Sequence, residues 1–154
     1  MQRVLVAVTA GILLASSGGA RAQDPCATLA AKVASLSGFA GAKAEALKSG
    51  NNTICEIYSK DRRARLGVVV EPAQAASGVP MRRMLAANAK EPGMKVKDEA
   101  GLGNGAFSFA TPQQVSFTVS GKGGVYTVSL NRDAIAPGDE DQVRAIAKQL
   151  ADGR

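Results

Sequence analysis

A strict alternation of apolar and polar residues in the last third of the chain constrains the fold most. Between residues 106 and 130, three segments show this period of two, and turns rich in glycine or proline separate them. In the clearest segment, Val115, Phe117 and Val119 alternate with serine and threonine. Successive side chains of a β-strand point to opposite faces. The pattern therefore predicts an antiparallel sheet with one buried face and one wetter face.

Helical signals stand at both ends and in the middle of the chain. Apolar residues spaced by three and four predict a first helix that opens at Asp24-Pro25 and a middle helix that Ser77 caps. A final helix is predicted to begin at Asp139, with Gln142 as the partner of a capping box. Residues 40–47, rich in alanine and lysine, are interpreted as a further short helical piece.

Strand signals fill the remaining segments. Residues 53–59 and 64–70 predict a β-hairpin across a polar turn, with Cys55 and Ile57 facing inward. Residues 94–97 predict a short, charged edge strand. The resulting order is α-β-β-α-β-β-β-β-α. It predicts an α+β fold in which an antiparallel sheet of about six strands carries helices on one face.

The amino-terminal segment predicts export. A basic residue, Arg3, precedes an apolar run over residues 4–14, and Ala20-Arg21-Ala22 supplies a small-x-small cleavage motif. These features are typical of a signal peptide over residues 1–22, cut after Ala22, so that residues 23–154 form a single secreted or periplasmic domain. A membrane anchor needs a run of roughly 20 apolar residues, which this segment lacks. We therefore expect no membrane span in the mature chain.

Two cysteines, Cys26 and Cys55, are present in the whole sequence. In an oxidising compartment, a single pair in a small domain favours a disulfide bond over a redox or metal site. A redox pair usually has two residues between the cysteines, and two isolated thiolates cannot complete a zinc site. The predicted bridge would close a loop of about 30 residues and stabilise the domain.

The absence of histidine restricts the possible chemistry. A chain without histidine cannot build a Ser-His-Asp or Cys-His centre, and it lacks the commonest metal ligand. We expect no enzymatic activity, no cofactor and no metal. A hydrolase that uses two facing carboxylates is the remaining catalytic alternative, but no spacing in the sequence predicts such a pair.

The charge balance restricts the partners. Loss of Arg3 and Arg21 from the 19 basic residues leaves 17 against 13 acidic residues, a mild excess. A nucleic-acid site would cluster basic residues with stacking aromatics, which this chain does not do, so no nucleic-acid partner is expected. Arg62, Arg63 and Arg65, with Arg82 and Arg83, are a candidate anion-binding patch, because the arginine fork suits carboxylates and phosphates, although such residues are usually solvated surface charges.

Several short motifs carry a resemblance to a known group of domains. Cysteines stand in Pro25-Cys26-Ala27-Thr28-Leu29 and in Thr53-Ile54-Cys55-Glu56-Ile57-Tyr58, and Gly101-Leu102-Gly103 and Val125-Tyr126-Thr127-Val128-Ser129 follow. This arrangement resembles small bacterial cell-envelope domains that are common in lipoproteins. It is also similar to the extracellular sensor domain of certain bacterial Ser/Thr kinases. The resemblance implies a disulfide-tied α+β domain with a sensing or envelope role, and it implies no catalytic residues. The chain departs from it by lacking a lipid-attachment site and an attached kinase.

The sequence therefore predicts a non-enzymatic binding or sensor-like module. The expected ligand is a small apolar or anionic molecule held between the sheet and the middle helix. Arg82 or Arg83 would steer this ligand, and the predicted lining comprises Met84, Leu85, Phe107, Phe117 and Tyr126. The alternative is an envelope protein-interaction module that acts through a sheet edge or a loop near residues 94–105.

Overall fold

A seven-stranded antiparallel sheet organises the protein. The computed structural model describes residues 25–34, 36, 38–72, 78–89 and 92–153. In chain order the elements are α1 (Pro25–Val33), β1 (Ala44–Ser49), β2 (Asn52–Tyr58), β3 (Ala64–Glu71), α2 (Gly78–Asn88), β4 (Lys95–Asp98), β5 (Phe107–Thr111), β6 (Gln114–Gly121), β7 (Gly124–Arg132) and α3 (Asp139–Ala151). The strands lie in the order β1-β2-β3-β7-β6-β5-β4. The predicted α+β fold is confirmed, with seven strands rather than six.

The additional strand is β1, so the helical interpretation of residues 40–47 is wrong. Gly50, with a φ of 60°, and Asn51 form a two-residue turn that folds β1 back onto β2. Glycine at the first turn position suits such tight hairpins because it adopts positive φ without strain. Backbone pairing with β2 outweighs the helical preference of alanine and lysine, since tertiary context routinely overrides intrinsic propensity. Strand β1 is an exposed edge, and the Leu47 side chain on it is 50% exposed.

The main core lies on one face of the sheet, beneath α1 and α3. Helix α1 packs against β1 and β2, and α3 packs against β6 and β7. The predicted inner stripe of α3 is confirmed at Val143, Ile146 and Ala147, which are buried. Cys55 and Ile57 also face inward as predicted. Each fully buried aliphatic or aromatic side chain contributes about 1.5–3 kcal/mol relative to an exposed one, which favours this arrangement of helices.

The predicted disulfide is confirmed between Cys26 and Cys55. It joins α1 to β2, with the two Cα atoms 5.3 Å apart and a sequence separation of 29 between the cysteines. Because both sulfur atoms are buried in the main core, the bond lies where α1 meets the sheet. The bond therefore attaches α1 covalently to β2.

The second face of the sheet is more polar. Hydroxyl groups pair across β6 and β7, at 2.8 Å between Ser116 and Ser129 and at 3.2 Å between Thr118 and Thr127. The serines and threonines of β6 point away from Phe117, as the alternation predicts. Ser116 and Thr118 are nevertheless buried, as are Phe107 and Phe109 on the same face, so the expectation of a wetter face is wrong for this part of the sheet.

The start of α3 differs from its prediction. Gly138 occupies the position before the helix with a φ of 88°, and no side chain caps the helix there. Asp139 is instead buried, accepts a hydrogen bond from the Ala136 backbone N–H at 2.7 Å and lies 3.4 Å from Arg132. The expected capping box with Gln142 is therefore absent, because the Asp139 carboxylate holds the preceding loop.

Several predicted features lie outside the described residues. These are the signal peptide over residues 1–22 with its cleavage point, the cap at Asp24 and the cap at Ser77. Among the helices of the described residues, none combines the length and the apolar character that crossing a membrane requires.

The turn between β2 and β3 contains a carboxylate with an acid-sensitive role. Asp61 accepts hydrogen bonds from the Ser59 hydroxyl at 2.6 Å and from the Arg63 backbone N–H at 3.1 Å. The Ser59 hydrogen bond first, and the Arg63 amide second, lower the pKa of Asp61. A group whose pKa is lowered by folding stabilises the fold above its unfolded pKa, and this contribution is lost as the pH falls through the folded pKa.

We therefore expect Asp61→Asn to flatten the acid side of the stability curve. Wild-type protein should lose melting temperature more steeply than the variant as the pH falls from about 5 to 2, because only the wild type must protonate this carboxyl group. Thermal melting followed by circular dichroism at several pH values measures the difference. Parallel curves for the two proteins would contradict the assigned role.

Candidate functional site

A groove of about 400 Å³ lies beside the β4 edge of the sheet. Its wall and floor come from β4, β5, β6, the loop before α3 and the first turn of α3. The lining residues are Gly93, Lys95, Lys97, Ser108, Ala110, Thr111, Pro112, Val115, Ile135 and Glu140. We call this feature the β4 groove.

Strand register brings the lining together. Lys95 pairs with Ala110 and Lys97 pairs with Ser108, so these four side chains share one face of the sheet. Ala110 in turn pairs with Val115 on β6. The β4 groove thus has small and apolar residues on its floor and two lysines on its outer side.

The β4 groove carries an excess of one positive charge. The Lys97 ammonium lies 3.6 Å from the Glu140 carboxylate of α3. Among the described residues, no carboxylate lies within ion-pair distance of Lys95. Lys95 is also exposed, so its charge is available to an incoming group.

A buried carboxylate lies behind the groove. Glu99 is 6% exposed and accepts a hydrogen bond from the Ser108 hydroxyl at 2.6 Å. The Arg144 guanidinium of α3 donates to both oxygens of the same carboxylate, with the longer bond at 3.3 Å. Burial of an unpaired carboxylate would be costly, and the arginine with the serine removes that cost.

Local structure explains why Glu99 turns inward. Lys95, Lys97 and Glu99 follow the same two-residue period, so all three lie on the face that α3 covers. The Glu99 backbone N–H donates to the Ala106 carbonyl at 2.9 Å, which holds the residue at the end of the β4–β5 hairpin. Arg144 also lies 5.1 Å above the Phe117 ring, a cation–π contact that fixes the guanidinium.

The sequence-predicted lining residues do not meet in one cavity. Phe107 pairs with Thr118, whereas Phe117 and Tyr126 lie on the opposite face of the sheet. Phe117 is completely buried in the main core. The expected site between sheet and middle helix is therefore not formed by these aromatic residues together.

The predicted residues of the middle helix lie apart from the β4 groove. Arg82 forms two hydrogen bonds of 2.8 Å with the Asp98 carboxylate. Arg83 is exposed, Leu85 is half-buried and the Met84 side chain is 59% exposed. None of these four residues lines the β4 groove.

The candidate arginine patch is divided in the structure. Arg62, Arg63 and Arg65 lie beside Arg132 around a shallow depression, away from Arg82. Most of these guanidinium groups already face carboxylates, with Arg63 3.1 Å from Asp133 and Arg65 3.0 Å from Glu56. Arg62 instead lies over the Tyr58 ring, with its guanidinium carbon 5.6 Å from the ring centroid.

Sequence reasoning missed Lys95, Glu99, Ser108 and Arg144 as candidate site residues. The sequence contains a signal for Lys95 and Glu99, because charged residues at positions 95, 97 and 99 repeat with the period of a strand. No local signal indicated that Arg144, 45 residues later, would meet Glu99. In searches with the whole chain, no family model, curated protein or solved structure matched it.

Proposed function

We propose that the protein is a non-enzymatic binding module that takes a small ligand with one anionic group and an apolar body into the β4 groove. The observation that carries this proposal is the Lys95 ammonium, which has no acidic partner among the described residues and lies beside an apolar floor. A carboxylate of the ligand would pair with Lys95, and its hydrocarbon part would contact Ala110, Val115 and Ile135.

The size of the β4 groove suits this class of ligand. Pockets for small molecules typically enclose about 300–1,000 Å³ and combine apolar walls with a few polar groups. At about 400 Å³, the β4 groove is near the lower end of that range. A ligand of eight to ten heavy atoms with a single charged end is therefore a suitable probe.

The proposed setting is the periplasm or the extracellular space, with a sensor-like or carrier role. The Cys26–Cys55 disulfide supports it, because such bonds persist in oxidising compartments. The lack of histidine in the chain supports a binding role rather than catalysis.

The decisive experiment compares octanoate with octan-1-ol by isothermal titration calorimetry. Octanoate should bind more tightly, because only the acid can pair with Lys95. Lys95→Ala should weaken octanoate binding about fivefold, which corresponds to an exposed ion pair of about 1 kcal/mol. Lys122→Ala, in the exposed turn between β6 and β7, is the matched control and should leave binding unchanged.

Failure of octanoate to bind at millimolar concentration, or equal binding of the acid and the alcohol, would contradict the proposal. The exposed edge strand β1, with Leu47 on it, would then be the surface to pursue for the alternative of a protein-interaction module.

A further inference from the structure

The Ser108 hydroxyl is oriented before any ligand arrives. It donates its proton to Oε1 of Glu99 at 2.6 Å. Glu99 is paired with the Arg144 guanidinium, and an ionised carboxylate can only accept hydrogen bonds. The Ser108 hydroxyl must therefore be the donor in this contact, and its proton is directed away from the β4 groove.

The Ser108 hydroxyl can therefore only accept a hydrogen bond from a molecule in the β4 groove. A serine hydroxyl has one proton and two lone pairs, so Ser108 presents lone pairs to whatever occupies the space beside it. Strand β5 lies between β4 and β6, and its backbone groups pair with those strands on both sides. Ser108 is thus a fixed acceptor on an otherwise apolar floor, at a site that also contains Lys95.

The spacing of these two groups defines the ligand. Lys97 lies directly opposite Ser108, and Lys95 lies two residues further along the same face of β4, which is about 7 Å of strand. Lysine has a long flexible stem, so its ammonium can reach an anion bound closer to Ser108. One small molecule can therefore contact Lys95 through an acid group and Ser108 through a donor a few bonds away.

We infer that the β4 groove selects acids that also carry a hydrogen-bond donor near the carboxylate, of which hydroxycarboxylic acids are the simplest class. This inference rests on the proposed function, since it assumes that Lys95 binds the anionic group. Ser108 is the specificity-determining residue. Glu99 and Arg144 act through it as positioning residues, because they dictate which way its proton points.

The test uses three acids of equal chain length: octanoate, 3-hydroxyoctanoate and 3-methoxyoctanoate. Calorimetry on the wild type should show the hydroxy acid binding about three- to tenfold more tightly than octanoate, the gain of one neutral hydrogen bond. The methoxy acid can accept but cannot donate, so it should show no gain over octanoate. This comparison needs no variant and is independent of folding defects.

Ser108→Ala should abolish the preference for the hydroxy acid over octanoate. Ser116→Ala, on the same sheet but on its opposite face, is the matched control and should retain the preference. A wild type that binds octanoate through Lys95 but binds all three acids equally would overturn this inference alone. An equal gain for the methoxy and hydroxy acids would also overturn it, and binding of none of the acids would overturn the proposed function as well.

Discussion

Replacing both cysteines by serine is expected to lower the free energy of unfolding by about 3–4 kcal/mol. The Cys26–Cys55 bond closes a loop with a sequence separation of 29 residues, and closing such a loop in the unfolded chain removes conformational entropy of this size. Native domains of this length are stabilised by only about 5–15 kcal/mol, so the loss would be a large part of the total. Urea denaturation followed by far-ultraviolet circular dichroism measures it.

The double variant Cys26→Ser and Cys55→Ser avoids leaving one reactive thiol. Wild-type protein treated with a reductant serves as the control, because it should unfold at nearly the same urea concentration as the double variant. A change smaller than about 1 kcal/mol would show that the bond adds little to the packing of α1 on β2.

Replacing Phe117 by alanine is expected to cost about 3–5 kcal/mol, the usual cost of removing a large aromatic side chain from a core. Phe117 is 0% exposed and lies on the face of β6 that packs against α3. The substitution removes the apolar contact area and also the ring below Arg144. The same urea titration measures the effect.

Met84→Ala is the matched control, because the sequence interpretation places both residues in one ligand site. Met84 is 59% exposed, so its truncation should change stability by less than about 0.5 kcal/mol. Similar losses for the two variants would contradict the assignment of Phe117 to the core and of Met84 to the surface.

Much of the fold follows from short-range patterns. Strands β6 and β7 and helix α3 were predictable because their apolar residues repeat with the period of the element. Strand β1 was not, because its residues are nearly all exposed and leave no apolar stripe to detect. Its existence depends on hydrogen bonds to β2, which a local pattern does not reveal.

The β4 groove was less predictable than the fold. The charged edge strand was recognised, and the placement of Lys95 and Lys97 on one face follows from the period of two. The inward position of Glu99 depends on Arg144 and Ser108. A carboxylate is buried at acceptable cost only where an ion-pair partner and hydrogen-bond donors surround it. The aromatic residues chosen as lining are strong apolar signals, and such residues more often build cores than line pockets.

By itself, the sequence determined the alternating strands and the amphipathic last helix, because each depends on residue types at short spacing. It also determined the pairing of its two cysteines, because two cysteines allow only one intramolecular disulfide. Only the tertiary structure decided that β3 lies beside β7, that β1 extends the sheet and that Arg144 meets Glu99 behind Ser108. These contacts join residues far apart in sequence. Such contacts stabilise the protein only after the chain has closed the loops between the residues that make them. A pattern within a short segment therefore cannot predict them.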